Sequence, residues 1–170
     1  FDKWRDETLH NQKIVEKAGF EANIIENHDQ PRGASLFIPE EDYGFYSLSA
    51  LATIIFCERG LPFLYQGQEI GMSNRQWKYD EFNDLETINQ YQIALKAGMS
   101  KEQALEIARH HSRDNARTPM QWSSEENAGF SKGKPWMPVN ENYKVVNVAE
   151  EEKEYGSILN FYKRLIAFYK

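Results

Sequence analysis

The sequence predicts an α/β fold in which a helix joins two parallel strands. A short, mainly apolar run at 22–25 is typical of a buried strand. From Tyr43 to Glu58 apolar residues recur at helical spacing until Gly60. A second apolar run, LPFLYQG at 61–67, is bounded by glycines. Strand, helix and strand within about 45 residues form a βαβ unit, and such a crossover makes the strands parallel.

Two further helices are predicted after the second strand. Residues 88–97 have helical spacing, which Gly98 interrupts. Ser100 and Gln103 have the spacing of a capping box, so the next helix should begin there and extend to about His110.

The last third of the chain is less regular. Residues 112–148 lack periodicity and are rich in Asn, Gly, Pro and aromatic residues. So long an irregular segment is unusual in a compact domain unless it is functional. A final helix is predicted from about Ser157, with a wide apolar face that needs a partner surface.

Length and charge limit the possible functions. The 170 residues suffice for one domain, but a complete α/β barrel needs roughly 250. The net charge of −6, without a block of Lys or Arg, argues against a nucleic-acid partner. No apolar run reaches the roughly 18 residues of a membrane span. The single cysteine, Cys57, cannot form an internal disulfide, which fits a reducing compartment or an exported protein without disulfides. Together with the lack of a long apolar run, these features lead us to expect a soluble, cytoplasmic protein with no membrane partner.

Polar side chains follow both predicted strands. His28 and Asp29 come after the first strand, within NIIENHDQPRG at 23–33. In parallel α/β folds the carboxyl ends of strands carry catalytic and ligand groups, so both sets should face one pocket rim. The polar side chains after the second strand are Tyr65, Gln66, Gln68 and Glu69.

Each of these patterns also has a structural interpretation. From the residues alone, an adjacent pair such as His28 and Asp29 at a strand end is more often a hydrogen-bonded turn than a catalytic pair. Arg113 and Arg117 flank Asp114 and Asn115, so these charges could instead form a salt bridge within the loop. The adjacent histidines 110 and 111 point in different directions on a helix and lack a carboxylate at i+4, which favours a solvated helix end. We predict no metal site and no cofactor.

Three stretches together resemble a known family. They are IIENHDQPR at 24–32, GLPFLYQGQEIGMSN at 60–74 and SRDNARTPMQW at 112–122. In this order they resemble the α-amylase superfamily of glycoside hydrolases, and within it the α-glucosidase branch with oligo-1,6-glucosidase, dextran glucosidase and trehalose-6-phosphate hydrolase. The tail NAGFSKGKPWMPVNENY at 127–143 is also similar to that branch.

The resemblance implies that residues 1–170 are the C-terminal portion of a (β/α)8 TIM barrel, about its last two strands and their helices. ANIIEN would be the seventh strand and PFLYQG the eighth. The N-terminal barrel half, with the nucleophile and the general acid, and the β-sandwich that follows the barrel in this family would be absent. The start at Phe1, without an initiator methionine, fits this expectation of a piece of a longer protein.

The resemblance also implies residue roles in retaining hydrolysis of an α-glucosidic bond. Asp29 matches the family carboxylate that holds the sugar 2- and 3-hydroxyls, and His28 matches the histidine beside it. Arg117, or alternatively Arg113, matches the arginine of the pocket floor. Arg117 is favoured because Thr118-Pro119 stiffens the chain after it. Further substrate contacts are expected from Asn27, Tyr65, Gln66 and Glu69.

The substrate stays open between α-1,6- and α-1,4-linked oligosaccharides, trehalose 6-phosphate and sucrose. Gln68 stands where many relatives have Glu. We expect the isolated chain to be inactive without the rest of its barrel. A non-catalytic carbohydrate-binding module and an interaction domain are the alternatives from other classes, and the oligomeric state is not predicted.

Overall fold

The computed structural model describes residues 2–169, except the side chain of Trp4. Seven α-helices and a two-stranded sheet lie in this part of the chain. In chain order they are α1 (Asp2–Val15), β1 (Ala22–Asn23), α2 (Gly33–Phe37), α3 (Phe45–Cys57), β2 (Leu61–Pro62), α4 (Leu85–Lys96), α5 (Lys101–His111), α6 (Val148–Glu151) and α7 (Ile158–Tyr169). Short 3-10 helices occupy Glu40–Asp42, Gln68–Ile70, Tyr79–Glu81, Arg113–Arg117, Glu126–Gly129 and Glu141–Lys144.

The sheet confirms the predicted parallel βαβ unit. β1 pairs with β2 in parallel, with Ala22 opposite Leu61. The predicted strand lengths are wrong, because each strand has only two residues. The ladder ends where the Phe63 amide donates to the Asn23 carbonyl, at 3.0 Å. Beyond Asn23 the chain leaves the sheet, and the Ile24 side chain is 49% exposed rather than buried.

The helix between the strands is fastened to β1 by a buried amide. The Asn23 side chain donates to the Ile55 and Glu58 carbonyls, each at 3.0 Å. The turn from α3 into β2 requires Gly60, whose φ is +156°. A Cβ atom there would collide with the Asn23 side chain and with the Glu21 carbonyl. This stretch therefore positions both strand ends.

The largest core cluster lies where α2, α3 and α7 meet. Its buried members are Ala34, Ile38, Leu48, Ala52, Ile55, Phe56, Ile158 and Tyr162. The wide apolar face predicted for the last helix thus finds part of its partner in α3. Phe168 at the far end of that helix stays 86% exposed.

The second half confirms the predicted pair of helices and the irregular segment. α4 begins after Asp84, whose carboxylate accepts from the Glu86 and Thr87 amides. Ser100 and Gln103 form the expected capping box of α5. Between 112 and 148 only 3-10 turns occur. A small core of Trp77, Phe82, Ala108 and Met137 joins these turns to α5.

Three helices, α1, α2 and α6, have no counterpart in the sequence predictions. α1 is mostly exposed, so it lacks the apolar face that periodicity detects. α2 has five residues and α6 has four, so both are too short for a periodic signal. None of the helices within residues 2–169 has both the length and the apolarity of a membrane span.

Candidate active site

His28 and Asp29 lie on a tight turn directly after β1. The Asn27 side-chain oxygen accepts the Asp29 amide hydrogen at 2.8 Å, which is the bond of an Asx turn. His28 Nε2 lies 3.4 Å from Asp29 Oδ2, and the two side chains are 70% and 51% exposed. The Asn27 side chain therefore shapes the turn, while His28 and Asp29 stay available to a ligand.

Both predicted arginines approach the same carboxylate. Arg117 donates from Nη2 to Asp29 Oδ1 at 2.8 Å and from Nε to the His28 carbonyl at 3.0 Å. Arg113 Nη1 is 3.5 Å from the same Asp29 oxygen. Hydrogen bonds of this kind to a charged donor are the strong ones, and the shorter distance belongs to Arg117. The fold thus brings together side chains 88 residues apart in sequence.

Arg113 is held mainly by Asp84. Its Nε and Nη2 atoms lie 2.8 Å and 2.7 Å from Asp84 Oδ1. Burial alone would raise the pKa of Asp84, but hydrogen bonds from Thr87 and Arg113 outweigh burial and lower it. Arg113 is therefore paired with the N-cap carboxylate of α4 rather than with an acidic residue of its own loop, and Nη1 is the nitrogen that approaches Asp29.

The 3-10 helix that carries both arginines is fixed by buried side chains that sequence patterns did not indicate. Asp114 Oδ2 accepts the Asn83 and Asp84 amide hydrogens at 2.7 Å and 2.9 Å. Asn115, fully buried, accepts from Trp77 Nε1 at 2.7 Å and donates to the Ser112 carbonyl at 2.9 Å. Since Asn83, Asp84 and Trp77 come from distant segments, no local spacing could have identified these contacts.

The polar residues after β2 separate into two sets. Tyr65 reaches toward the arginines, because its hydroxyl donates to the Ala116 carbonyl at 3.0 Å. The Gln66 side chain is exposed beside it. Glu69 turns back to accept the Gly67 amide hydrogen at 2.8 Å. Gln68 was wrongly placed on the rim: it is buried and donates to the Tyr162 hydroxyl at 2.9 Å, because Gly67 directs the chain into the core.

A polar cleft of about 310 Å³ opens beside Asp29. Asp84, Arg113 and His111 line it together with the start of α4. A larger cleft of about 580 Å³ lies between α2 and α5, but none of the predicted site residues borders it. Asp29 and Arg113 border the smaller cleft, whereas His28, Arg117 and Tyr65 do not. The convergence of charged groups around Asp29, rather than either cleft, therefore defines the candidate site. Within residues 2–169 no three His, Cys, Asp or Glu side chains are grouped to hold a metal ion.

Comparison with known proteins decides the family. The family model described as "Alpha amylase, catalytic domain" matches residues 1–170. The chain belongs to the α-amylase family. This membership supports the expected fragment of a (β/α)8 barrel.

The curated relatives of this family member include oligo-1,6-glucosidases. That of Parageobacillus thermoglucosidasius is 41% identical over 161 residues, covering 94% of this chain and 29% of the relative. The glucan 1,6-alpha-glucosidase of Streptococcus pneumoniae is 38% identical, covering 100% of this chain and 31% of the relative. The chain thus spans about three tenths of the length of these relatives.

Solved structures from the same superfamily match the fold. The isomaltulose synthase from Klebsiella sp. LX3 is 38% identical with a TM-score of 0.88, covering 97% of this chain and 30% of that one. A D200A mutant of MutB in complex with glucose gives the same identity, TM-score and coverage. The backbone of this chain therefore follows the fold of these solved structures over most of its length.

Proposed function

We propose that this chain supplies the sugar-gripping part of a retaining α-glucosidase that hydrolyses α-1,6 or α-1,4 bonds in short oligosaccharides. The supporting observation is the convergence of His28, Asp29 and Arg117 after a parallel strand in a member of the α-amylase family. These groups match the part of a glucosidase site that binds hydroxyls. The names of the 1,6-glucosidase relatives support the substrate class.

In the proposed mechanism Asp29 binds the sugar 2- and 3-hydroxyls and His28 donates to the same edge. Retaining hydrolysis uses two further carboxylates, a nucleophile and an acid, placed about 5 Å apart. We place both in barrel segments outside this chain. As the ring becomes an oxocarbenium ion its hydroxyls become more acidic, so their bonds to Asp29 strengthen in the transition state. Arg117 orients Asp29 through the hydrogen bond from Nη2 to Oδ1.

The remainder of the proposal concerns the barrel. β1 and β2 would be its seventh and eighth strands, and residues 112–148 would form the wall between the eighth strand and α7. The substrate-binding roles of Asn27, Tyr65, Gln66 and Glu69 belong to this proposal. Among these four, Tyr65 has the best support, because its hydroxyl donates to the Ala116 carbonyl in the 3-10 helix Arg113–Arg117.

The test uses the full-length protein that contains this segment. It should hydrolyse p-nitrophenyl α-glucoside, isomaltose or maltose, and Asp29→Asn should lower kcat by about three orders of magnitude, since an amide cannot offer the charge. Asp42→Asn, an exposed residue of the 3-10 turn before α3, is the matched control and should keep full activity. An Asp29→Asn enzyme with most of its activity would remove Asp29 from the mechanism.

A sucrose-active enzyme is the second candidate. The isomaltulose and trehalulose synthases among the structural neighbours favour it. Incubation of the full-length protein with sucrose and with trehalose 6-phosphate, followed by chromatography of the products, separates these functions from oligosaccharide hydrolysis. Binding without turnover of any of these sugars would support a non-catalytic module instead.

A further inference from the structure

Arg32 is a fully buried cation at the end of the turn that carries Asp29. Its side chain is 0% exposed, and Nη1 donates to Glu26 Oε1 at 2.7 Å. The second Glu26 oxygen accepts the Gly33 amide hydrogen at 3.0 Å. Glu26 and Arg32 thus close the turn from beneath, with His28 and Asp29 on its outer side.

The same guanidinium also reaches the two other segments that build the site. Nη1 donates to the Gln66 carbonyl at 2.7 Å, and Nε donates to the Asn115 carbonyl at 3.1 Å. The guanidinium carbon lies 5.6 Å from the centre of the Tyr65 ring. The Arg32 side chain therefore contacts the segment after β1, the segment after β2 and the 3-10 helix Arg113–Arg117.

These contacts fall close to each group that faces the substrate. Gln66 follows Tyr65 directly, and Asn115 precedes Arg117 by two residues. At Gln66 and Asn115 the acceptor is the backbone carbonyl, so Arg32 fixes the path of the main chain there rather than a side-chain rotamer. Rigid support of this kind sets the distances between groups on different loops.

We propose that Arg32, held by Glu26, is the positioning residue that sets the geometry of Asp29 relative to Arg117 and Tyr65. This inference rests on the proposed function, because it assigns Asp29 to the transition state. A ligand group misplaced by about 1 Å can cost about 10²-fold in rate. The loss should appear in kcat more than in KM, since Asp29 binds the transition state more tightly than the substrate.

The main test variant is Arg32→Lys in the full-length protein. A lysine retains the charge for Glu26, but its three donors share one nitrogen at the end of a flexible chain. It therefore cannot reproduce the separate Nε and Nη1 contacts of the guanidinium with the Asn115 and Gln66 carbonyls. We expect kcat to fall at least about tenfold and KM to change less than about threefold, measured well below Tm. Inhibition by a protonated iminosugar, which mimics the oxocarbenium ion, should weaken more than inhibition by glucose.

A matched control distinguishes positioning from general destabilisation. Arg75 is also a buried arginine, 7% exposed, and it binds Glu81 and Glu141 away from Asp29. Arg75→Lys should lower Tm but keep kcat within about twofold. Equal losses of kcat in the two lysine variants would assign Arg32 to stability alone and overturn the proposal.

Two further outcomes keep the result decisive. If Arg32→Lys does not fold, Glu26→Gln is the second variant, because its amide oxygen can accept from Gly33 or Arg32 while the negative charge that balances Arg32 is lost. A folded Arg32→Lys or Glu26→Gln protein with wild-type kcat rejects the positioning role. An inactive wild-type protein rejects the proposed function instead, so the two failures are distinguishable.

Discussion

Asp29 and Asp84 have the same side chain but differ in burial, and this difference separates a ligand-binding carboxylate from a structural one. Asp84 is buried, and its two oxygens are occupied by the amides of α4, by Thr87 and by Arg113. Asp29 is half-exposed, and its carboxylate contacts Arg113, Arg117 and the His28 imidazole. A carboxylate with unused lone pairs at a strand end can accept sugar hydroxyls, whereas a saturated one can only support structure.

The two arginines should differ in their effect on activity. Arg117→Lys loses the paired contacts with Asp29 and the His28 carbonyl, so we expect kcat/KM to fall about 10- to 100-fold. Arg113→Lys should cost less than about threefold, because most of the Arg113 guanidinium faces Asp84 rather than Asp29. Steady-state kinetics of both full-length variants on one substrate check this order. A larger loss for Arg113→Lys would make Arg113 the pocket-floor arginine.

Glu151 should make stability depend on pH. Burial, with a contribution from the Glu69 charge, raises the pKa of Glu151 from 4.5 to about 7. Between these values the folded protein holds a proton that the unfolded chain releases, so stability falls as pH rises through this window. Glu151→Gln stays neutral, and its amide oxygen can still accept the Leu159 amide hydrogen.

Urea unfolding of the two full-length proteins measures this effect. Above about pH 7.5 the wild type should be less stable than Glu151→Gln by about 1 to 2 kcal/mol, a figure reduced for partial solvent screening. Below about pH 4.5 the two should agree. A difference that is constant across this range would show that Glu151 does not titrate between these values.

Helix ends connect the elements to the site. Asp84 is the N-cap of α4 and also the main partner of Arg113, so one residue fixes a helix start and an arginine near Asp29. Ser112 also serves two elements, because it is the C-cap of α5 and the N-cap of the 3-10 helix Arg113–Arg117. The loops around the site are thereby anchored at rigid helix termini.

Two substitutions at Asp84 should separate these roles. Asn is as good an N-cap as Asp, so Asp84→Asn should keep α4 but weaken the hold on Arg113. Asp84→Ala removes both and should cost about 1 kcal/mol more in unfolding free energy than Asp84→Asn. Thermal or urea unfolding gives the difference between them. Equal stability of the two variants would show that capping by Asp84 contributes little.

Element types with strong local signals could be predicted from the sequence, and the others could not. The capping box at Ser100 and the periodicity of α3 are local, so the structure confirms both helices. The strand lengths were wrong because pairing of β2 depends on distant residues rather than on the apolar run. The buried polar contacts of Asn115 depend in the same way on tertiary structure.

At the scale of the whole molecule, one side of the sheet is left uncovered by the described residues. Phe20, Leu61 and Phe63 are 68%, 53% and 53% exposed around the two short strands. In a barrel, further strands and side-chain layers would cover such residues. The position of the motifs after the strands predicted that His28, Asp29 and Arg117 would lie together, and the structure brings them together. Their role in catalysis stays a prediction, and their partners elsewhere in a barrel could not be predicted from this sequence.

The polypeptide of residues 1–170 alone should therefore be inactive and should expose apolar surface to solvent. We expect no hydrolysis of p-nitrophenyl α-glucoside, and strong binding of a hydrophobic dye to the uncovered apolar surface. Activity assays and dye fluorescence, compared with the full-length protein, measure both. Turnover by the isolated polypeptide would contradict the placement of the nucleophile outside it.

The contact between Glu26 and Arg32 has a consequence for how the site assembles. The two residues are only six positions apart, whereas Arg32 reaches Gln66 and Asn115 across 34 and 83 positions. Because the entropic cost of closing a loop grows with its length, the short-range pair can form before the distant acceptors arrive. The turn with Asp29 would then be the first formed element of the site, and the arrival of the arginine segment would complete it.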